Sequence, residues 1–302
     1  MIFQSTPEEF SLKMQRKLRL ASCTIIRSFI VFWVLVLAGS SCSSLFYFPS
    51  HYKYFDPAKS GHQPEDIWFK GEDQAPLHGW YFKQNKLSKA KASFLFFHGN
   101  GENLSSHFMA LLWILEEGYD FFIFDYRGYG ETPGKPTPEN TVQDGHAALR
   151  WLHQKDPSIP LVVFGQSLGG AVSLRTVIDL KDEIPVRLVV VDSTFSSYRA
   201  IAQKVLTRQS MSWPLQPIVP FLVSDHYAPG SQIESLSPIP LVVIHGDEDT
   251  AVDFSLGQRV YELAKDPKEF WRVPGGTHID AFWRHHGLFR KKLLEKLKTL
   301  GM

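Results

Sequence analysis

Five nearly uninterrupted apolar runs place the strongest constraint on how this chain can fold. They cover residues 92–97, 120–125, 160–164, 186–192 and 240–245. Runs without polar alternation are typical of strands buried on both faces, as in a parallel sheet. Helical periodicity fills the stretches between them, at 104–117, 138–154, 168–180 and 253–264. This alternation predicts a single doubly wound α/β domain.

The two ends of the alternation differ from its middle. The segments "DIWF" and "PLHGWYF", with Gly71 between them, predict an N-terminal antiparallel hairpin. A strand "EFWRV" and an amphipathic helix over 279–298 close the chain. We therefore expect a mostly parallel sheet that begins with a hairpin, inside a domain spanning 45–302.

The stretch 193–237 interrupts the strand–helix pattern. It holds a helical segment from Tyr198 to Thr207 and then the apolar, proline-rich "WPLQPIVPFL". This is longer than an ordinary connection, which predicts a small cap over the sheet's carboxyl edge. A packed crossover with an extra helix is the alternative.

Composition excludes several functional classes. The chain has 302 residues, 44% of them hydrophobic, and a formal net charge of +1, so no overall field favours nucleic acid. The two cysteines, Cys23 and Cys42, both lie near the N-terminus. The rest of the chain therefore has no cysteine for a disulfide, a metal site or a thiol nucleophile.

The N-terminal segment 1–44 has the pattern of a signal or membrane anchor. Basic residues over 13–27 precede the apolar run "SFIVFWVLVLAG" at 28–39, and "SSCSS" follows. The segment resembles a bacterial lipoprotein signal with Cys42 as the lipidated residue, although Gly39 stands where leucine is usual. An uncleaved membrane anchor and a buried helix are the alternatives. The basic flank predicts that the following domain is exported and membrane-associated.

The motif Gly165-Gln166-Ser167-Leu168-Gly169 lies where an apolar strand meets a helix. A serine in such a turn is held out as a nucleophile, and the small neighbours prevent clashes. The new helix also directs its first N–H groups towards developing negative charge. A plain strand-to-helix turn is the other interpretation.

A serine nucleophile needs a base. His278 is the best candidate because the glycines of "VPGGTH" let its loop reach over the sheet edge. The other histidines after Ser167 have different expected roles: His245 satisfies local backbone groups, His226 lies in the cap, and His285 and His286 lie in the last helix.

The base in turn needs an orienting acid. The segment "HGDEDTAV" offers Asp247, Glu248 and Asp249, with Asp253 close behind. Asp192, at the end of the preceding strand, competes with them. Spacing alone does not separate Asp247 from Asp249.

Six blocks in order make the chain resemble the α/β-hydrolase superfamily, more narrowly the membrane-associated α/β-hydrolase-domain proteins related to prolyl-aminopeptidase-like serine hydrolases. The blocks are "FFHGNGEN", "DYRGYGETPGKPT", "FGQSLGG", "VDSTFSS", "HGDEDTAV" and "GGTH", within roughly 60–298. The resemblance implies an α/β-hydrolase fold with Ser167 as nucleophile, His278 as base and Asp249 as acid. It implies backbone oxyanion donors at Asn100 and Leu168.

The resemblance also bears on residues beside the triad. It implies that His98 and Gly99 shape a turn and transfer no proton. Thr132 departs from the serine that relatives often carry, which we interpret as a local loop difference. Relatives need no metal or other cofactor, and the sequence has no H-E-x-x-H motif.

The predicted function is hydrolysis of carboxylic esters or thioesters through an acyl-enzyme. A peptidase or amidase of the same fold, and a non-catalytic membrane-anchored binding module, are the alternatives. The apolar "WPLQPIVPFL" favours a small acylated or lipid-like substrate. The expected partners are that substrate and a membrane held through the N-terminal segment, with no nucleic acid.

Overall fold

A computed structural model describes residues 46–208, 217 and 219–302. The predicted apolar run 28–39, Cys42 and part of the stretch 213–222 lie outside the described residues. Within the described ranges, no helix has both the length and the apolar character that crossing a membrane requires. The expected division into 1–44 and 45–302 stays a prediction.

Ten strands carry the architecture of the described residues. They are β1 (Phe48–Pro49), β2 (Glu65–Lys70), β3 (Pro76–Phe82), β4 (Ser93–Phe97), β5 (Gly101–Glu102), β6 (Asp120–Phe124), β7 (Leu161–Gln166), β8 (Val186–Asp192), β9 (Leu241–Gly246) and β10 (Lys268–Val273). Eight of them form one sheet in the order β10-β9-β8-β7-β4-β6-β3-β2, and β1 pairs with β5 separately.

The large sheet is mostly parallel, as the sequence predicts. All neighbours from β10 to β6 are parallel, whereas β3 is antiparallel to both β6 and β2. The β2–β3 pair is the predicted hairpin. Gly71 lies in its turn, and the Gly71 N–H donates to the Ala75 carbonyl over 2.8 Å.

Burial on both faces explains the uninterrupted apolar runs. In β4, Leu95 and Phe97 pack in one hydrophobic cluster, while Phe94 and Phe96 pack in the cluster on the other side. All four side chains have no exposed surface. Because successive side chains point to opposite faces, a strand covered on both sides has no position for a polar residue.

Seven α-helices accompany these strands in the described part of the chain. They are α1 (Leu104–His107), α2 (Pro138–Lys155), α3 (Leu168–Leu180), α4 (Tyr198–Arg208), α5 (Val219–Leu222), α6 (Phe254–Leu263) and α7 (Leu288–Thr299). Four of them, α2, α3, α4 and α6, match their predicted ranges within a residue. Thr137 begins α2 with a reciprocal capping box, in which its hydroxyl accepts from the Asn140 N–H.

The prediction of one continuous helix over 104–117 was wrong, because most of this stretch is not α-helical. Only Leu104–His107 is α-helical, and Phe108–Ala110 and Leu112–Glu117 are 3₁₀ helices. Phe108, Leu111 and Ile114 are buried at a spacing of three, which fits three residues per turn better than 3.6.

The last helix begins at Leu288, not at 279 as predicted. Ile279, His285 and His286 all have positive φ, so the chain turns repeatedly before the helix. The sequence pattern does not reveal these turns. Their apolar residues, such as Ala281 and Phe282, are buried just as apolar residues on the inner face of a helix are. The turning segment directly follows His278.

The described part of 193–237 contains α4, α5 and a 3₁₀ helix at Gly230–Leu236. Asp225 links the loop after α5 to the start of α4, because the Asp225 carboxylate accepts from the Ser197 hydroxyl and the Arg199 N–H. The function of this stretch as a cap stays a prediction.

Candidate active site

Ser167 occupies a strained turn between β7 and α3. Its φ of 54° and ψ of −121° are unusual for a residue with a side chain. Two hydrogen bonds hold it there: its N–H donates to the Asp192 carbonyl over 2.9 Å, and the Thr194 hydroxyl donates to the Ser167 carbonyl over 2.7 Å. Backbone strain that the surroundings enforce is typical of functional sites.

Two glycines explain why the turn can be so tight. A Cβ on Gly165 would lie 2.4 Å from the Ser173 hydroxyl oxygen, and one on Gly169 would lie 2.1 Å from the Phe97 carbonyl oxygen. Any larger residue would push α3 away from β4 and β7. The spacing of the motif therefore follows from the close contacts at these two glycines.

The end of β4 lies against this turn and brings the Asn100 backbone near it, while Leu168, which begins α3, carries a second backbone N–H. A Cβ on Gly99 would be 3.8 Å from the Ser167 Cβ, so the residues after β4 reach the serine. Among the described residues, neither the Asn100 N–H nor the Leu168 N–H has an acceptor. Two unused N–H groups beside a serine can bind a negatively charged oxygen.

His278 is hydrogen-bonded to Asp249 at the same sheet edge. The His278 Nδ1 lies 2.8 Å from the Asp249 Oδ2. The other carboxylate oxygen, Oδ1, accepts from the N–H groups of Ala251 and Val252 over 2.8 Å and 2.9 Å. A carboxylate accepts only, so Nδ1 carries the proton and Nε2 is left with its lone pair.

Asp249 is kept ionised by its partners. Its burial would raise the pKa of the carboxyl, but hydrogen bonds from His245 and His278 and the backbone N–H groups outweigh this and hold the pKa well below the usual value. The buried His245 Nε2 lies 3.4 Å from the Asp249 Oδ2 and 2.9 Å from the Val252 carbonyl oxygen. The expected backbone role of His245 is confirmed, and its closeness to Asp249 was not foreseen.

The competing acids have other partners. Asp247 binds the Arg272 guanidinium over 2.7 Å and the Gly275 N–H over 2.7 Å. Asp192 accepts from the Gln166 amide and the Ser193 hydroxyl. Geometry thus separates Asp247 from Asp249, which spacing did not.

The His278 loop is tied to the strand end next to Ser167. The Ile279 N–H donates to the Ser193 hydroxyl over 3.1 Å, and the Ser193 N–H donates to the Ile244 carbonyl. The Ser167 hydroxyl itself makes no hydrogen bond among the described residues. Catalytic hydrogen bonds are often long or poorly aligned without substrate.

The remaining histidines after Ser167 have other contacts or are exposed. His226 contacts Tyr227, and the exposed His285 donates from Nε2 to the Pro274 carbonyl oxygen over 2.9 Å. His286 is exposed and lies in the 3₁₀ turn before α7, not inside it.

His98 and Thr132 fill the turns around the site. The His98 Nδ1 lies 2.8 Å from the Gly99 carbonyl oxygen, and its Nε2 lies 3.3 Å from Asp125. The Thr132 hydroxyl donates to the Asp125 carbonyl and is fully buried, which makes this residue part of the loop's packing.

His107 is a neighbour of the site that sequence reasoning missed. Its ring stacks on His98 with centroids 5.3 Å apart, and its Nε2 lies 3.1 Å from the Gly101 carbonyl oxygen. Although the residue is only partly buried, desolvation and the nearby His98 lower its pKa to about 3. Its position one helical turn into α1 gave no distinguishing signal.

Comparisons with known proteins give one family profile and several relatives. A family profile described as "Serine aminopeptidase, S33" matches residues 88–229. The uncharacterized protein YfhR of Salmonella typhi is 32% identical over 292 residues, which cover 91% of this chain and 96% of that protein. Lysophosphatidylserine lipase ABHD12 of Macaca fascicularis is 27% identical over 265 residues, covering 78% of this chain and 61% of that protein.

A solved structure supports the architecture. The esterase Pf2001 of Pyrococcus furiosus superposes with a TM-score of 0.66 at 22% identity, covering 84% of this chain and 98% of that one. At this identity the likeness concerns the fold alone.

Proposed function

Because the chain belongs to the α/β-hydrolase superfamily and to its S33 serine aminopeptidase family, we propose that it hydrolyses carboxylic esters or thioesters through a covalent acyl-enzyme. Ser167 is the nucleophile, His278 the base and Asp249 the acid that orients it. The backbone N–H groups of Asn100 and Leu168 bind the oxyanion. The narrower kinship with membrane-associated hydrolases is part of this proposal.

In the acylation half of the reaction, His278 Nε2 removes the Ser167 hydroxyl proton as the oxygen attacks the acyl carbonyl carbon. Asp249 fixes the tautomer that leaves Nε2 free and stabilises the imidazolium. The carbonyl oxygen becomes negatively charged between the two N–H donors. As the intermediate collapses, the bond to the leaving alcohol or thiol breaks, and His278 returns the proton to it.

The deacylation half repeats these steps with water. His278 takes one proton from water, and the hydroxyl oxygen attacks the ester carbon on Ser167. Collapse of the second intermediate breaks the bond to Ser167 Oγ, which regains its proton from His278. The products are a carboxylic acid and the free serine.

The Asp249–His278 hydrogen bond is the observation that carries the proposal. A non-catalytic module has no use for a buried, ionised carboxylate that orients an imidazole at the edge where a strained serine lies. The low pKa of Asp249 supports the same conclusion, since the acid must stay charged while His278 gains a proton.

Ester hydrolysis is proposed over amide hydrolysis on the strength of one relative. ABHD12 is named a lysophosphatidylserine lipase, which favours a small acylated or lipid-like substrate here. The family description as an aminopeptidase keeps amide hydrolysis as the second candidate. Matched p-nitrophenyl esters and aminoacyl p-nitroanilides decide between them.

The test of the proposal is labelling with a fluorophosphonate probe, followed by rates on p-nitrophenyl esters of increasing chain length. The wild type should be labelled, and Ser167→Ala should lose labelling and about 10⁴-fold or more of kcat. Ser231→Ala, at an exposed serine, is the matched control and should behave as the wild type. A labelled Ser167→Ala variant, or an unlabelled wild type, would contradict the proposal.

A further inference from the structure

A short segment ahead of the main sheet is hydrogen-bonded to the loop that carries Asn100. Strand β1, at Phe48–Pro49, pairs in parallel with β5, at Gly101–Glu102. The Phe48 N–H donates to the Asn100 carbonyl over 2.8 Å, and the Ser50 N–H donates to the Glu102 carbonyl over 3.1 Å. This small sheet is separate from the eight-stranded one.

Asn103 adds a second set of bonds to the same segment. Its side-chain amide Nδ2 donates to the carbonyls of Ser50 and Tyr52, each over 2.8 Å. The Tyr54 N–H donates to the Ser105 hydroxyl over 2.9 Å. We call residues 48–54 the loop strap, because they bind the loop 99–105 along its length.

The loop needs such support from outside. Glu102 has a φ of 61°, which a residue with a side chain adopts at a cost. A Cβ on Gly101 would meet nothing within 4 Å, so the loop is not packed on that side. Hydrogen bonds from neighbouring segments therefore help to fix the conformation of this part of the loop.

The bond closest to the proposed oxyanion donor is the one that the strap makes to the Asn100 carbonyl. It accepts from the Phe48 N–H and from the Tyr129 hydroxyl, each over 2.8 Å. The Asn100 N–H, on the other side of the same Cα, is the proposed oxyanion donor. Two donors on the carbonyl limit rotation about that Cα and so aim the N–H.

The strap is too exposed for a role in the hydrophobic core. The side chains of Phe48 and Tyr52 are 58% and 69% exposed. The segment is held mainly by its backbone groups, which is the arrangement expected of a clamp on another backbone.

We propose that the loop strap is a positioning element for oxyanion binding: its hydrogen bonds hold the Asn100 N–H in the orientation that stabilises the transition state. The inference rests on the proposed function. Loss of one oxyanion donor costs ~10²–10³ in kcat in comparable sites. Removal of one of two bonds that orient a donor should cost less, about tenfold.

The decisive comparison is Phe48→Pro with Phe48→Ala in the full chain. Proline has no N–H to donate, and Phe48 already precedes Pro49, which favours the extended backbone that proline accepts. Alanine keeps the N–H and removes only the exposed ring. The measurements are kcat and KM on a p-nitrophenyl ester and the inhibition constant of an alkyl trifluoromethyl ketone, whose serine adduct carries an oxyanion.

Phe48→Pro should lower kcat about tenfold and weaken the trifluoromethyl ketone by a similar factor, with KM within twofold of wild type. Phe48→Ala should leave kcat, KM and the inhibition constant at their wild-type values. Asn103→Asp is the second variant, because it keeps the Oδ1 that caps the Ser105 N–H but turns an oxygen towards two carbonyls. Asn103→Asp should also lower kcat and weaken the ketone with KM nearly unchanged. It tests the inference if Phe48→Pro does not fold.

Two results would overturn the inference. One is a folded Phe48→Pro or Asn103→Asp variant with the kcat and ketone affinity of the wild type. The other is a fall in kcat with unchanged ketone affinity, which would place the effect outside oxyanion binding. A wild type inert to fluorophosphonate would instead overturn the proposed function, and this inference with it.

Discussion

At the scale of single residues, Asp249 and Asp247 show how two neighbouring carboxylates acquire different roles. Asp249 is buried with two histidines and two backbone N–H groups, whereas Asp247 faces Arg272 near the surface. Only the first arrangement can orient His278.

Asp249→Asn should therefore lower kcat by ~10³–10⁴, because an amide facing His278 Nδ1 as a donor favours the wrong imidazole tautomer. Asp247→Asn is the matched control and should stay within about threefold, since it loses only a partly exposed ion pair. Steady-state kinetics on a soluble ester measure both. A more damaging Asp247→Asn would show that the acid is misassigned.

Asp192 is buried and has no lysine or arginine partner among the described residues. Its titration should therefore appear in the pH dependence of the free energy of unfolding. Burial raises its pKa to about 6, although the hydrogen bond from Gln166 opposes this. An unfolded aspartate titrates near ~3.9. Between these values the folded protein binds more protons than the unfolded chain, so its free energy of unfolding falls as the pH rises.

Asp192→Asn removes this titration. Its free energy of unfolding should exceed that of the wild type by a margin that grows from pH 4 to pH 6 and then levels off at about 3 kcal/mol. Urea denaturation of both proteins at several pH values checks this. A margin independent of pH would mean that Asp192 does not titrate in this range.

At the scale of elements, α6 supports the acid from behind. A Cβ on Gly257 would lie 2.0 Å from the His245 Nδ1, and His245 in turn lies beside Asp249. The helix can approach this closely only with glycine at that position.

Gly257→Ala should destabilise the fold by about 1–3 kcal/mol, because helix and imidazole must move apart. It should also lower kcat, since the displaced His245 shifts Asp249. Gln258→Ala, on the exposed side of the same helix, should change stability by no more than about 0.5 kcal/mol. Thermal unfolding and ester kinetics test the pair, and a stable Gly257→Ala variant would refute the packing argument.

The elements that could be predicted are those with a burial pattern of their own. The strands were evident because both faces of the sheet are covered, and α3 was evident because the Gly165–Gly169 motif marks its start. The turns over 279–287 could not be predicted, because tertiary hydrogen bonds such as Ile279 to Ser193 set them. The 3₁₀ segments after α1 could not be predicted either, because their apolar pattern also fits an α-helix.

The residues of the candidate site also fall into a part that the sequence predicted and a part that it did not. Ser167 and His278 were predicted from motifs within a few residues of each side chain. His107 and the loop strap were not, since they act through contacts between distant segments that no local pattern records.

At the scale of the whole molecule, the N-terminal segment remains a prediction. We propose that the hydrolase domain is exported and held at a membrane, with Cys42 as the lipidated mature end. One acyl chain binds a membrane only marginally, so several chains on a lipoprotein are needed for stable attachment.

The change that tests this is Cys42→Ser, with Cys23→Ser as control. The wild type and the control should lose residues 1–41, gain lipid mass and partition into detergent, whereas Cys42→Ser should stay unprocessed. Intact mass and phase partitioning measure this. A wild type that retains 28–39 without lipid indicates a plain anchor, and a wholly soluble one excludes both forms.

The order in which the sheet contributes its site residues has a consequence for biosynthesis. Ser167 follows β7, but His278 follows β10, which comes last in chain order among the described strands and forms an edge of the sheet. At translation rates of roughly 5–20 residues per second, the nascent chain carries the proposed nucleophile for several seconds before the proposed base is made. On the proposed mechanism, the growing polypeptide therefore cannot react with acyl compounds through this site until β10 and the loop after it have been synthesised.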